Sequence, residues 1–236
     1  PGDEQMKYAG VRAFMCYMMA HPGKKLLFMG TEFCQANEWN VEKELEWGLL
    51  QYPEHQQAQK FFKALNHFYL ETPALWQVDF SWEGFSWISN DDYNQSVIAF
   101  RRIDKDGNDL IAVCNFVPVQ RENYCIGVPT AGIYTELFNS DDVEFGGGGV
   151  TNGDTIKSVP EPMHGFEDSI SLTLPAMSVL YLKCRRRIPH KKKTVVKPVK
   201  AAEKEKKAEK EPAAIKAEAK PKTKKTSPRK NKTEKS

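Results

Sequence analysis

Between Gly30 and Asn40 the chain reads Gly-Thr-Glu-Phe-Cys-Gln-Ala-Asn-Glu-Trp-Asn. Glu32 and Glu38 supply carboxylates, Gln35 and Asn37 supply amides that donate and accept, and Trp39 supplies a flat indole. Sugar rings are bound by such a set, because their hydroxyls need paired partners and their C–H faces stack on aromatics. A polar surface loop whose Trp folds back onto the core is the other reading of the same residues. Retaining glycosidase chemistry would need the Glu32 and Glu38 carboxyls about 5 Å apart. Nothing in the sequence holds two glutamates of one loop at that spacing, so the pair is not read as catalytic. Gly146-Gly147-Gly148-Gly149 follows no apolar strand, opens no helix and lacks the Lys-Ser/Thr of a phosphate loop, so a flexible loop is expected there. The five cysteines, at 16, 34, 114, 125 and 184, form no metal-like pair, and the histidines at 21, 55, 67, 164 and 190 are dispersed. Reduced thiols in a reducing cytoplasm are expected, with no metal and no cofactor.

The elements that would position the loop are legible on both sides. Upstream, Met6, Ala9, Ala13, Phe14, Tyr17 and Ala20 recur at helical steps, with Asp3 placed as a cap and His21-Pro22-Gly23 as the stop. Leu26-Leu27-Phe28-Met29 is a short continuous apolar run closed by Gly30, which predicts a strand covered on both faces. In parallel α/β folds the loops after strand ends carry the site, and a connection from Thr31 to Tyr52 is long for a purely structural one. Downstream, Pro53 opens a second helix with Ala58, Phe61, Phe62, Leu65, Phe68 and Tyr69 on one face. One strand makes no sheet, so the apolar faces of these helices are expected to need partners from outside the chain.

Past Pro73 the pattern turns to short β segments at 85–88, 96–100, 110–114, 124–126, 134–138 and 178–182, with a hairpin turn at Asp104-Lys105-Asp106-Gly107-Asn108. An antiparallel sandwich is expected over residues 73–184. Trp76, Trp82 and Trp87 cluster near its start, either as a stacking platform or as filling for the core and its seam. The 236 residues carry a net charge of only +3, which conceals a division. Residues 185–236 hold 21 basic and 6 acidic residues, a net of +15, and residues 1–184 hold 13 basic and 25 acidic, a net of −12. The tail, rich in Lys, Ala, Glu and Pro, is expected to be disordered. It is either a solvated extension or a non-specific binder of nucleic acid or another polyanion. No apolar run is long enough for a membrane helix.

The stretch from His21 to Gly30, then Glu32-Phe33, Gln35, Glu38-Trp39-Asn40, Leu45-Glu46-Trp47 and Leu49-Leu50, resembles bacterial 1,4-α-glucan branching enzymes of the α-amylase-type glycoside hydrolase family. The likeness continues through Gly84-Phe85-Ser86-Trp87, Ser96-Val97, Arg101-Arg102, Asn115-Phe116-Val117-Pro118-Val119 and Leu172-Thr173-Leu174-Pro175, and covers about residues 1–184. It implies that residues 1–72 are the C-terminal part of a (β/α)8 barrel, its last strand with flanking helices. Residues 73–184 would be a C-terminal all-β domain, and the tail, 185–236, lies outside the likeness. The implied reaction cleaves an α-1,4-glucan, holds it as a covalent glycosyl ester and passes it to a 6-hydroxyl to form glycogen branches, with retention. The family's three catalytic carboxylates lie on earlier barrel strands, and its His-Asp motif is absent here. The resemblance therefore assigns no catalytic residue, and the chain, beginning at Pro1, is expected to be a piece of a longer protein that is inactive alone. It assigns Glu32, Gln35, Glu38 and Trp39 to the glucan groove or its bracing, with α-glucan and the rest of the barrel as partners. The alternatives are a standalone glucan-binding or interaction module, or part of another amylase-family hydrolase.

Overall fold

A computed structural model describes residues 2–188. The expected disordered tail lies outside the described residues, apart from its first four positions. Helix α1 runs Glu4–Ala20, capped by the Asp3 carboxylate, which accepts from the Met6 N–H at 2.8 Å. It ends at His21, as the following proline requires. Helix α2 runs Pro53–Glu71 and buries Ala58, Phe61, Phe62 and Leu65, a single stripe at helical spacing.

Eight strands follow: β1 Phe85–Ser89, β2 Val97–Ile103, β3 Asp109–Asn115, β4 Arg121–Val128, β5 Gly132–Asn139, β6 Ile156–Lys157, β7 Asp168–Leu174 and β8 Ser178–Arg187. Six form a sheet in the order β1-β2-β3-β8-β5-β6, and β4 pairs with β7 in a second sheet. All the pairings are antiparallel. The β2–β3 turn closes where expected: Gly107 takes a positive φ of 79°, and the Asp104 carboxylate accepts from the Asp106 and Asn108 N–H groups.

The expected sandwich is present, with a third layer added. Side chains alternate along β3, so Leu110, Ala112 and Cys114 enter one core while Ile111 and Val113 enter another. The first core lies between the large sheet and the two helices, joining Cys16, Met19, Phe61, Phe62 and Leu65 to Phe100, Val179 and Tyr181. The second lies between the two sheets and includes Ile126, Ile170, Leu172 and Leu180. Much of the helical apolar surface therefore finds its partner within the chain, contrary to the expectation that it would come from outside.

Two buried arginines fix this arrangement. Arg102, wholly excluded from solvent, donates to the carbonyls of Gly84 (3.2 Å) and Ala20 (2.7 Å) and to Asp79 Oδ1 (2.8 Å). It thus satisfies a carbonyl at the C-terminus of α1, where the helix provides no partner of its own. Arg12 donates to the Ser140 and Phe145 carbonyls at 2.8 and 3.0 Å, tying α1 to the loop after β5. The glycine run in that loop is held in place. Gly148 and Val150 donate to the Asp141 carboxylate at 2.9 and 3.2 Å, and Gly149 donates to the Asp141 carbonyl at 2.8 Å.

The segment expected to be a barrel strand is not one here. Residues 24–28 have no strand pairing, and Leu26, 74% exposed, is accompanied by exposed Phe28 and Met29. A strand needs a hydrogen-bonding neighbour, and none of the described strands pairs with this segment. Trp76, Trp82 and Trp87 do not fill the core either: all three are exposed, Trp82 to 83%.

Candidate functional site

The loop after Gly30 begins with a single-turn 3-10 helix, Thr31–Phe33. Gly30 has φ 83°, and a Cβ there would stand 2.8 Å from that of Gln35, so glycine is required on both counts. Phe33 is fully buried and packs against Trp47, ring centroids 5.1 Å apart. His55 on α2 fastens the same turn. Its Nδ1 lies 2.7 Å from the Phe33 carbonyl, which only accepts, so Nδ1 carries the proton. Nε2 is then free to accept from the Tyr8 hydroxyl at 3.2 Å.

Glu46 organises the next turn. Its carboxylate accepts from the Ala36 and Asn37 N–H groups, each at 3.2 Å, and from the Asn37 side-chain amide. These bonds, led by the Asn37 side chain, hold its carboxyl below the usual glutamate range. Gln35 completes the knot: Oε1 accepts from the Glu46 N–H and Nε2 donates to the Asn37 carbonyl, both at 2.9 Å. Trp39 stands beside Phe28, centroids 5.6 Å apart and planes at 80°, with 38% of its surface exposed.

Two clefts flank this indole. One, of about 360 Å³, is lined by Met15, Phe28, Met29, Gln35, Glu38 and Trp39 among others. The other, of about 320 Å³, shares Gln35, Asn37, Glu38 and Trp39 with the first and adds Asn40, Lys43 and Glu44. Of the four residues expected at a sugar site, Gln35, Glu38 and Trp39 therefore come together. Glu32 lines neither cleft, so it and Glu38 do not converge on one bond. Gln35 spends its amide on the loop itself, leaving Glu38 and Trp39 as the groups presented outward. Asn37, Glu46 and His55 were not singled out as loop-fixing residues from sequence. The available signal was the loop's length, since many main-chain N–H groups without strand partners require side-chain acceptors.

No thiolate nucleophile is at hand. The cysteines are all free thiols, and burial pushes Cys34, the one lining the first cleft, up to about 11. The arrangement offers hydrogen-bonding carboxylate and amide groups beside an aromatic face, which is recognition chemistry.

Comparison with known proteins gives the class first. Residues 87–185, most of the span from β1 to β8, match the alpha amylase C-terminal all-beta domain family. The catalytic module of the glycogen-degrading pneumococcal virulence factor SpuA shares the fold, with a TM-score of 0.51 at 13% identity over 76% of this chain and 32% of that one.

The particular relatives are branching enzymes, as the resemblance in the sequence implied. The chain is 48% identical to the 1,4-alpha-glucan branching enzyme GlgB of Francisella philomiragia over 187 residues, 78% of this chain and 29% of that enzyme. It is also 48% identical to the GlgB of Aromatoleum aromaticum over 182 residues, 77% and 29% respectively. The chain thus spans less than a third of the length of these curated relatives.

Proposed function

We propose that this chain works as part of a 1,4-α-glucan branching enzyme, transferring an α-1,4-glucan segment to a 6-hydroxyl. In this reading residues 1–72 complete a (β/α)8 barrel, in which residues 26–29 gain strand neighbours on both sides. Residues 73–184 are the β domain appended to it. The catalytic carboxylates come from other barrel strands, and this chain contributes the loop bordering the glucan groove. Trp39 stacks on a sugar ring, Glu38 accepts from its hydroxyls, and Gln35 braces the loop that presents them. Glu32 serves the turn behind the groove. The observation that carries the reading is the 48% identity to branching enzymes over 187 residues, a span that exceeds the β domain and so must include part of the region before it.

The test is a chimera in which residues 1–184 replace the corresponding residues of the Francisella enzyme. New α-1,6 linkages, read by NMR of the glucan product, are expected from the chimera and none from the chain alone. Trp39→Ala in the chimera should lower kcat/KM about tenfold, the loss of one stacking contact of about 1.4 kcal/mol. A chimera that folds yet only hydrolyses glucan would place the chain with another amylase-family enzyme.

The exposure of Trp76, Trp82 and Trp87 favours a second reading, glucan binding by the β domain's own surface. Retardation of the full chain in glycogen affinity electrophoresis, lost on Trp82→Ala and Trp87→Ala, is its expected signature.

A further inference from the structure

The peptide between Phe33 and Cys34 is tied at both ends. Its carbonyl accepts from His55 Nδ1 at 2.7 Å, and its N–H donates to the Thr31 carbonyl at 3.0 Å. Held this way, Cys34 takes φ 56° and ψ 52°, in the left-handed region. A residue with a Cβ is disfavoured there by its clash with the following carbonyl. Such a conformation persists only where surrounding contacts impose it. The Thr31 bond is local and closes the same 3-10 turn. The His55 bond is the long-range one, reaching across 22 residues from the first turn of α2.

His55 is in turn fixed by its neighbours. Its Nε2 lies 3.2 Å from the Tyr8 hydroxyl on α1, and the two rings meet edge to face at 5.8 Å and 87°. Tyr52 adds a further ring contact, centroids 6.4 Å apart. An imidazole engaged at both nitrogens is held in one tautomer and one orientation. On the other side of the strained residue comes Gln35, whose N–H returns to the Gly30 carbonyl at 2.9 Å and whose Cβ is seated against Gly30. The backbone of Cys34 therefore sets the direction in which Gln35 leaves the turn. Gln35 carries the bonds to Glu46 and Asn37 that lead on to Glu38 and Trp39. His55 lines neither cleft beside Trp39, so whatever it does for them it does through the turn.

We infer that His55, in its Nδ1–H tautomer, is a positioning residue for the Trp39 face. It holds Cys34 in the left-handed turn, and that turn aims the segment from Gln35 to Trp39 at the clefts. That the clefts receive an α-glucan rests on the function proposed above; that His55 sets the turn does not.

Asn and Gln separate the two imidazole nitrogens in the test. The amide nitrogen of Asn, bonded to Cγ, can stand where Nδ1 stands, whereas that of Gln lies one bond further out, near Nε2. In the full chain, His55→Ala should lower hydrogen-exchange protection at the Cys34 and Gln35 amides about five- to tenfold, the loss of one hydrogen bond. His55→Asn should keep most of the protection and His55→Gln should not. Adding Cys34→Gly to His55→Ala should return part of it at Gln35, because glycine takes φ 56° without strain. Long-range proton–nitrogen correlation spectra of the parent should show Nδ1 protonated and Nε2 bare. In fluorotryptophan-labelled chain without sugar, the Trp39 fluorine resonance should shift in His55→Ala and return in His55→Asn. Titration with maltoheptaose, read at the same resonance, should give a Kd about tenfold weaker for His55→Ala than for the parent. An Nε2–H tautomer, unchanged protection or an unmoved Trp39 resonance in His55→Ala, or equal protection in the Asn and Gln variants would each overturn the inference. If the sugar-free results hold while the parent's Trp39 resonance ignores maltoheptaose, the positioning role stands and the glucan groove falls.

Discussion

Single residues carry two different kinds of role in this fold, and each can be tested separately. Asp79 accepts from buried Arg102 and from the Gly23 N–H. Asp79→Ala leaves the guanidinium buried without its counter-charge, a loss of about 3 kcal/mol, at the low end because the Gly84 and Ala20 carbonyls still hold it. The midpoint of urea denaturation reads that change. Glu46 offers a pH test. Its folded-state pKa is depressed by hydrogen bonds from Asn37 and Ala36, so its contribution is fully present above the unfolded value of about 4.3. The contribution is lost as pH falls through the folded value. Hydrogen exchange at the Ala36 and Asn37 amides should therefore stay protected at neutral pH and accelerate, beyond its intrinsic dependence, in acid. Glu46→Gln should abolish that extra acceleration. Neither role is visible in composition. The sequence names no partner for Arg12 or Glu46, and only the folded chain shows which carbonyls or N–H groups they serve. Of the two readings open for Trp82, its exposure of 83% rules out core filling.

Elements were more legible than the residues that join them. Both helices begin and end where Asp3, Pro22, Pro53 and Pro73 signal, because caps and prolines act within one turn. Six strands follow from their β-branched and aromatic runs. Strand β7 was missed although Ile170, Leu172 and Leu174 alternate inward, because the intervening Asp168, Ser169, Ser171 and Thr173 dilute its apolar content. Strand β6 is two residues long and has no pattern to read. The apolar run at 26–29 shows the limit of local reading: its residues suit a strand, but a strand also requires a neighbour. At this scale the prediction concerns the loop turn. Gly30→Ala forces a side chain into φ 83° and against Gln35. It should destabilise the Gln35–Glu46 knot by more than about 1 kcal/mol, seen as faster limited proteolysis between Ala36 and Lys43 with little change in the melting of the β domain.

At the scale of the described fold, one group of exposed apolar side chains precedes the loop, at Phe14, Leu26, Phe28 and Met29. The isolated chain should self-associate through them, and Leu26→Lys with Phe28→Glu should shift its light-scattering mass toward the monomer without lowering Tm. The helices and both sheets share the large sheet's two cores. Calorimetry of the chain should therefore give one unfolding transition in which helical and β signals disappear together.

Strand β3 carries a further consequence. Because it feeds Leu110, Ala112 and Cys114 to one layer and Ile111 and Val113 to the other, inserting a single alanine before Leu110 would invert its whole allegiance. Small and large side chains would trade compartments in one step, and each compartment would be misfilled by the other's contents. A frame slip at this position should thus be far less tolerated than any point substitution within the strand.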